Sequence, residues 1–188
     1  MTIQPAGTEL DYTITYLEMT ERPGYGPPDP PASSGAMLLR AEAPPVWYFL
    51  ALYDAVGRDY AWEDVHRREH DDIARWLARD EMALYTLIDR GWPHGFFLLD
   101  GPRDGVCDLT YFGLVPQAVG QGLGGWLLRM AILAGWDRPG TRLLTVNTCT
   151  LDHPRALDLY QRHGFVPVRS ESRRRVLTRD RDLARLPS

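Results

Sequence analysis

Val115-Pro116-Gln117-Ala118-Val119-Gly120-Gln121-Gly122-Leu123-Gly124-Gly125-Trp126-Leu127-Leu128 is the stretch whose reading decides the fold. The run Val106–Val115 enters it with strand character, and Gly122–Trp136 leaves it with apolar residues at helical spacing. Four of the six residues from Gly120 to Gly125 are glycine, a composition that weakens a helix start unless the backbone itself is needed there. The first turn of a helix exposes unpaired N–H groups and a partial positive charge. Glycine lets an anion come close to them because no Cβ intervenes. Gly120, Gln121, Gly122, Leu123, Gly124 and Gly125 therefore read as a backbone cradle for phosphate. A tight strand-to-helix turn with no ligand is the plain alternative.

Two anion-binding patterns compete for this turn. Residues 120–125 satisfy the dinucleotide spacing GxGxxG. That fingerprint follows its strand directly and has an acid some 20 residues on. Here Pro116–Val119 intervenes, the next strand ends Val146-Asn147-Thr148, and about sixty residues remain after the glycines, too few for a nucleotide-binding sheet. The phosphate loop GxxxxGK[ST] is excluded because the chain has no Lys; all 21 basic residues are Arg. The same fact excludes catalysis by lysine and Schiff bases on it.

Outward from the turn, the pattern predicts strands at 11–19, 82–88, 95–99, 106–115, 142–148 and 165–176, with 89–93 a hairpin connection. Helices are predicted at 44–57, 62–78, 122–136 and 154–163. Residues 21–43 read as a Pro/Gly-rich loop and 178–188 as a peripheral charged tail. This order predicts one α/β domain over residues 1–188, with a mixed, mostly antiparallel sheet flanked by helices. A net charge of −4 argues against a nucleic-acid partner, and no run reaches the length of a membrane span. Cys107 and Cys149 form no metal-binding pattern and suit a reducing, cytoplasmic setting; no leader is visible at residues 1–11, and no metal is expected.

Two motifs carry a resemblance. Val119-Gly120-Gln121-Gly122-Leu123-Gly124 resembles motif A, [Q/R]xxGx[G/A], of the GNAT superfamily of N-acyltransferases, with Val119 replacing the polar first residue. Ala156-Leu157-Asp158-Leu159-Tyr160-Gln161-Arg162-His163-Gly164-Phe165 is similar to its motif B, AxxLYxxxGF, with His153 where an Asn is usual. The tract Thr148–Pro154 resembles a bacterial branch of that superfamily. The resemblance implies an acetyl-CoA-dependent N-acetyltransferase that acts on a small-molecule or protein amine by direct attack in a ternary complex, as monomer or homodimer. It also implies cofactor contacts at Phe112, Leu114, Val119, the glycine turn, His153 and Ala156.

Tyr160 is then the candidate acid for the departing thiolate; it shares a helix face with Ala156. A core aromatic is its plain reading. Asp108 is the candidate base, on one strand face with Thr110, Phe112 and Leu114 if the pleat is regular. Four residues of strand span roughly 13 Å, so a water relay or a bulge is required. Tyr60 and Trp62 are candidates for the acceptor pocket. Asp152 and Pro154 read as helix-start residues, Cys149 as a small apolar residue and Arg173–Arg175 as solvated strand positions. A non-catalytic acyl-CoA-binding module and a nucleotide-dependent oxidoreductase fragment are the rival readings.

Overall fold

A computed structural model describes residues 3–32 and 34–186. The main sheet has seven strands: β2 (Glu9–Met19), β3 (Met37–Ala41), β4 (Met82–Asp89), β5 (Trp92–Arg103), β6 (Val106–Leu114), β7 (Leu143–Cys149) and β8 (Val166–Val176). They run in the order β3-β4-β5-β6-β7-β2-β8. Every pairing is antiparallel except β6 with β7. Two short strands, β1 (Ile3–Gln4) and β9 (Arg181–Asp182), pair with each other. Four helices, α1 (Val46–Gly57), α2 (His70–Leu77), α3 (Leu123–Trp136) and α4 (Ala156–Arg162), flank the sheet.

Successive residues of β6 show which helices cover which face. Tyr111 meets Phe49 and Tyr53 of α1, whereas Phe112 meets Tyr160 of α4. Alternation along the strand places α1 on one face and α4 on the other, and α3 joins α4 because Gly124 lies against Leu114. Leu123, Leu127, Leu128, Ala131 and Ile132 of α3 are fully buried, as are Phe96–Leu99 of β5.

Four expectations are corrected. Residues 37–41, placed in the loop, form edge strand β3; their short polar-interrupted run lacks a clear alternation. The predicted helix 62–78 is a one-turn 3-10 segment, Val65–Arg67, followed by α2, because Arg68 is extended. In the hairpin, Arg90 and Gly91 alone turn, with φ 50° and 86°, while Trp92 and Pro93 already pair in β5. Residues 178–188, expected to be peripheral, supply β9 and the buried Arg181; Pro187 and Ser188 lie outside the described residues.

Candidate active site

The parallel pairing of β6 and β7 runs only from Val106↔Leu143 to Leu109↔Val146. Beyond it β7 stays with β2, through Cys149↔Ile14, while β6 stays with β5. The sheet forks. The register of β6 on β5 slips by one at Thr110, so a bulge stands at the fork's apex. Val115 N–H donates to His94 C=O at 3.0 Å, which makes Leu114↔Gly95 a non-hydrogen-bonded pair. Phe112↔Phe97, two residues back, is of the same kind. The N–H groups of Phe112 and Leu114 therefore point away from β5, into the fork.

A cavity of about 900 Å³ passes through the fork. One end is lined by Leu114, Val119, Gly120, Gly124, Ala156 and Leu159, and the other by Tyr12, Tyr60, Ala61, Trp62, Cys149 and Arg175. At the first end, Gly120 and Gly122 hold φ of 82° and 78°, the left-handed region that favours glycine, and a Cβ at either would meet open space. The first turn of α3 carries no acid. The turn is therefore accessible, positively polarised backbone.

Of the residues singled out in the sequence, Phe112, Leu114, Val119, Gly120, Gly124, His153, Ala156, Tyr160, Tyr60 and Trp62 line this cavity. Gly122 caps α3 beside it. Gln121 is exposed and folds back to donate to Gln117 C=O at 2.7 Å; Leu123 points into the core, and Gly125 lies against the His163 ring. Any contribution these three make to anion binding comes from their backbone.

Tyr160 is buried against Phe112 and Phe165, and its hydroxyl has no protein hydrogen-bond partner among the described residues. Burial first, then the charges of Asp152 and Asp108, raise its pKa well above the ordinary phenol value. It is a proton donor, not a base, at every pH near neutrality. His153 has a lowered pKa because burial and then Arg155 disfavour its cation. Its Nδ1 accepts the Arg155 N–H at 3.0 Å, so the neutral ring carries its hydrogen on Nε2 and acts as a donor.

Asp108 does not line the cavity. Thr145 Oγ1 donates to its Oδ1 at 2.6 Å and Thr110 Oγ1 to its Oδ2 at 3.0 Å. The bulge at Thr110 breaks the regular pleat on which its shared face with Phe112 depended. Its carboxylate instead ties β6 to β7 below the fork. Burial raises the pKa of Asp108, and the two threonine bonds oppose that shift less strongly. A raised folded-state pKa means that ionisation works against the fold above the ordinary carboxylate range. Asp108→Asn is thus expected to leave the pH profile of turnover unchanged and to raise Tm. The gain should vanish below about pH 4 and grow as pH rises through the elevated pKa. Thermal melts from pH 3 to 8 beside rate profiles check this; loss of the basic-side rate would restore Asp108 as base.

Several cavity residues were not legible as such. Asp64 accepts from Tyr53 Oη at 2.7 Å and from Tyr111 Oη. Asp152, expected as a helix-start cap, does not cap α4, whose N-cap position is Arg155 with no side-chain bond; it accepts instead from Thr148 Oγ1 at 2.9 Å and Cys149 N at 2.8 Å, upstream of it. It also accepts from Trp62 Nε1 at 3.0 Å, which aims the indole. Gly57 makes room for that ring, since a Cβ there would stand 2.3 Å from it. Arg173 and Arg174 are solvated and paired with Glu171 and Asp11, but Arg175 turns into the cavity. Cys149 lines the cavity, and desolvation raises its thiol to about 11, far from a reactive thiolate. Tyr60 is likewise raised to about 12, mainly by burial.

A mixed sheet forked at its parallel pair, with a glycine-framed helix start beside the fork, is an N-acyltransferase fold. The acetyltransferase (GNAT) family profile matches residues 47–165, and the chain belongs to that family. Solved structures agree on the fold. A GCN5-related N-acetyltransferase from Kribbella flavida superposes with a TM-score of 0.57 at 18% identity, over 86% of this chain and 56% of that one. The corresponding figures for one from Sphaerobacter thermophilus are 0.54, 19%, 94% and 53%. For the aminoglycoside N-acetyltransferase AAC(6')-Iy in complex with CoA they are 0.54, 18%, 74% and 93%. The chain thus spans little more than half the length of the first two. No functionally curated protein matches the sequence. Among the described residues no helix is long and apolar enough to cross a membrane, and no His/Cys/Asp/Glu group could hold a metal ion.

Proposed function

We propose that the protein is an acetyl-CoA-dependent N-acetyltransferase that acylates a primary amine of a small molecule or protein by direct attack in a ternary complex. The observation that carries this reading is the fork, with two N–H groups aimed into a cavity that joins the glycine turn to Tyr160. The residues present fit the donor. Glycine backbone at 120, 122 and 124 is open to a diphosphate, and the unpaired edge of β6 suits an extended amide-bearing arm. Ala156, small and on the cavity wall, leaves that path clear. Two unbridged cysteines suit a cytoplasmic setting.

Acetyl-CoA, when bound, supplies the activated acyl group. The N–H groups of Phe112 and Leu114 are fixed donors for an acyl oxygen or neighbouring amide, and His153 Nε2–H is a third donor on the same cavity. Tyr160 holds a proton on Oη in a site with no competing partner, ready for a departing sulfur. Every cavity carboxylate already accepts protein hydrogen bonds, and Asp108 lies outside. The amine proton is therefore assigned to water leading out of the cavity.

Acetyl-CoA is expected to raise Tm, by the equivalent of about 2.7 kcal/mol at a hundred times Kd, while NAD(H) leaves it unchanged. Differential scanning fluorimetry reads both; stabilisation by NAD(H) alone would reinstate a dinucleotide site. A thiol-release assay over an amine panel then separates an enzyme from a non-catalytic acyl-CoA-binding module.

A further inference from the structure

Three arginines near the end of the chain reach one loop, residues 59–62, that walls the far end of the cavity. Arg181 Nε donates to Asp59 C=O at 3.0 Å and its NH2 to Leu151 C=O at 2.8 Å. Arg179 NH2 donates to Trp62 C=O at 3.0 Å, and its NH1 pairs with Asp54 at 3.4 Å. Arg175 NH1 donates to Ala61 C=O. Of the three, Arg175 alone lines the cavity. Its Nε is buried without a partner, no carboxylate pairs with it among the described residues, and its guanidinium stands 5.5 Å from the Tyr12 ring.

Its NH2 makes no protein hydrogen bond among the described residues, and a half-buried cation of this kind is costly unless an anion completes it. The negative groups on the same cavity are differently placed. Asp64 holds two tyrosine hydroxyls, and Asp152 holds an indole, a hydroxyl and a backbone N–H. Those donors are neutral and leave both negative charges in place, which suits the ammonium of an incoming amine, while Arg175 is a cation with no carboxylate of its own. Arg181 is committed to backbone carbonyls, so one guanidinium is on offer, and that suits a singly charged carboxylate better than a phosphate.

We infer that the amine acceptor carries a carboxylate, bound by Arg175 beside Tyr12. This rests on the transferase reading above.

The test uses the full chain with two readouts. Thiol release from acetyl-CoA is measured with the twenty protein amino acids, their carboxamides, spermidine and kanamycin. Isothermal titration measures the same compounds without acetyl-CoA. At least one amino acid should exceed its carboxamide about tenfold in kcat/KM, and in affinity. Arg175→Gln should raise KM for that amino acid about tenfold or more and erase the gap, with KM for acetyl-CoA unchanged. Arg175→Lys should restore part of it. Equal use of acid and amide, a preference for spermidine or kanamycin, or no response to any amino acid overturns the inference. So does Arg175→Gln losing acetyl-CoA stabilisation as well, which marks the residue as structural. Absence of acetyl-CoA stabilisation in the unmodified chain sinks the transferase reading instead, and the titrations still decide whether Arg175 selects carboxylates.

Discussion

Replacing Tyr160 by Phe is expected to lower kcat about a hundredfold, with the Kd for acetyl-CoA changed less than twofold. A positioned general acid contributes about 10²–10⁴ in rate. Phenylalanine keeps the ring that packs edge-on against Phe112 at 6.0 Å and Phe165 at 5.9 Å, so the substitution removes the hydroxyl and little else. The hydroxyl has no protein partner whose bond would be broken, and stability should stay within about 0.5 kcal/mol. The pH dependence adds a second mark. The folded-state pKa of Tyr160 is raised, so the proton remains available as pH climbs toward the ordinary phenol range, and no fall in rate near neutrality belongs to it. Steady-state kinetics with stopped-flow measurement of cofactor binding would settle the matter. Equal loss in kcat and in acetyl-CoA affinity would assign Tyr160 to packing.

The second large effect is expected at the turn. Gly122→Val should weaken acetyl-CoA at least tenfold. A β-branched residue at φ 78° is strained by about 1–2 kcal/mol, and relief of that strain moves the N–H groups that open α3. Gly140 supplies the control. It has φ 88° and equally open surroundings but lies past the end of α3, far from the cavity lining. Gly140→Val should lose similar stability and no cofactor affinity. If both variants lose acetyl-CoA equally, strain alone explains the effect and the turn holds no diphosphate.

The cavity end at the glycine turn was legible because its signals are local. A glycine-rich turn between strand and helix, and a Tyr four residues after an Ala, each sit within one short segment. The opposite end was not, because it is assembled from segments far apart. Asp64 becomes a cavity residue only when Tyr53 and Tyr111 close on it, and Trp62 is aimed by Asp152, 90 positions away. Arg175 looked like its neighbours Arg173 and Arg174: alternation along β8 turns Arg174 to the other face, but Arg173 shares the face of Arg175 and differs from it only in position along the paired strands. Asp108 was misplaced for a related reason. A single inserted residue, Thr110, reverses the alternation by which its face was counted, and nothing in its neighbours' composition marks a bulge. The helix predicted at 62–78 failed where Arg68 and Glu69 extend the chain before α2.

The loop-binding arginines carry a consequence for how such a protein can change. Arg175, Arg179 and Arg181 all lie beyond residue 165, where the family profile stops, and Tyr12 lies before it begins. Arg175 and Tyr12 thus lie outside the stretch that holds the glycine turn, although Tyr60 and Trp62 lie inside it. The β2–β8 edge of the sheet is the part of the cavity wall that the family pattern leaves unconstrained.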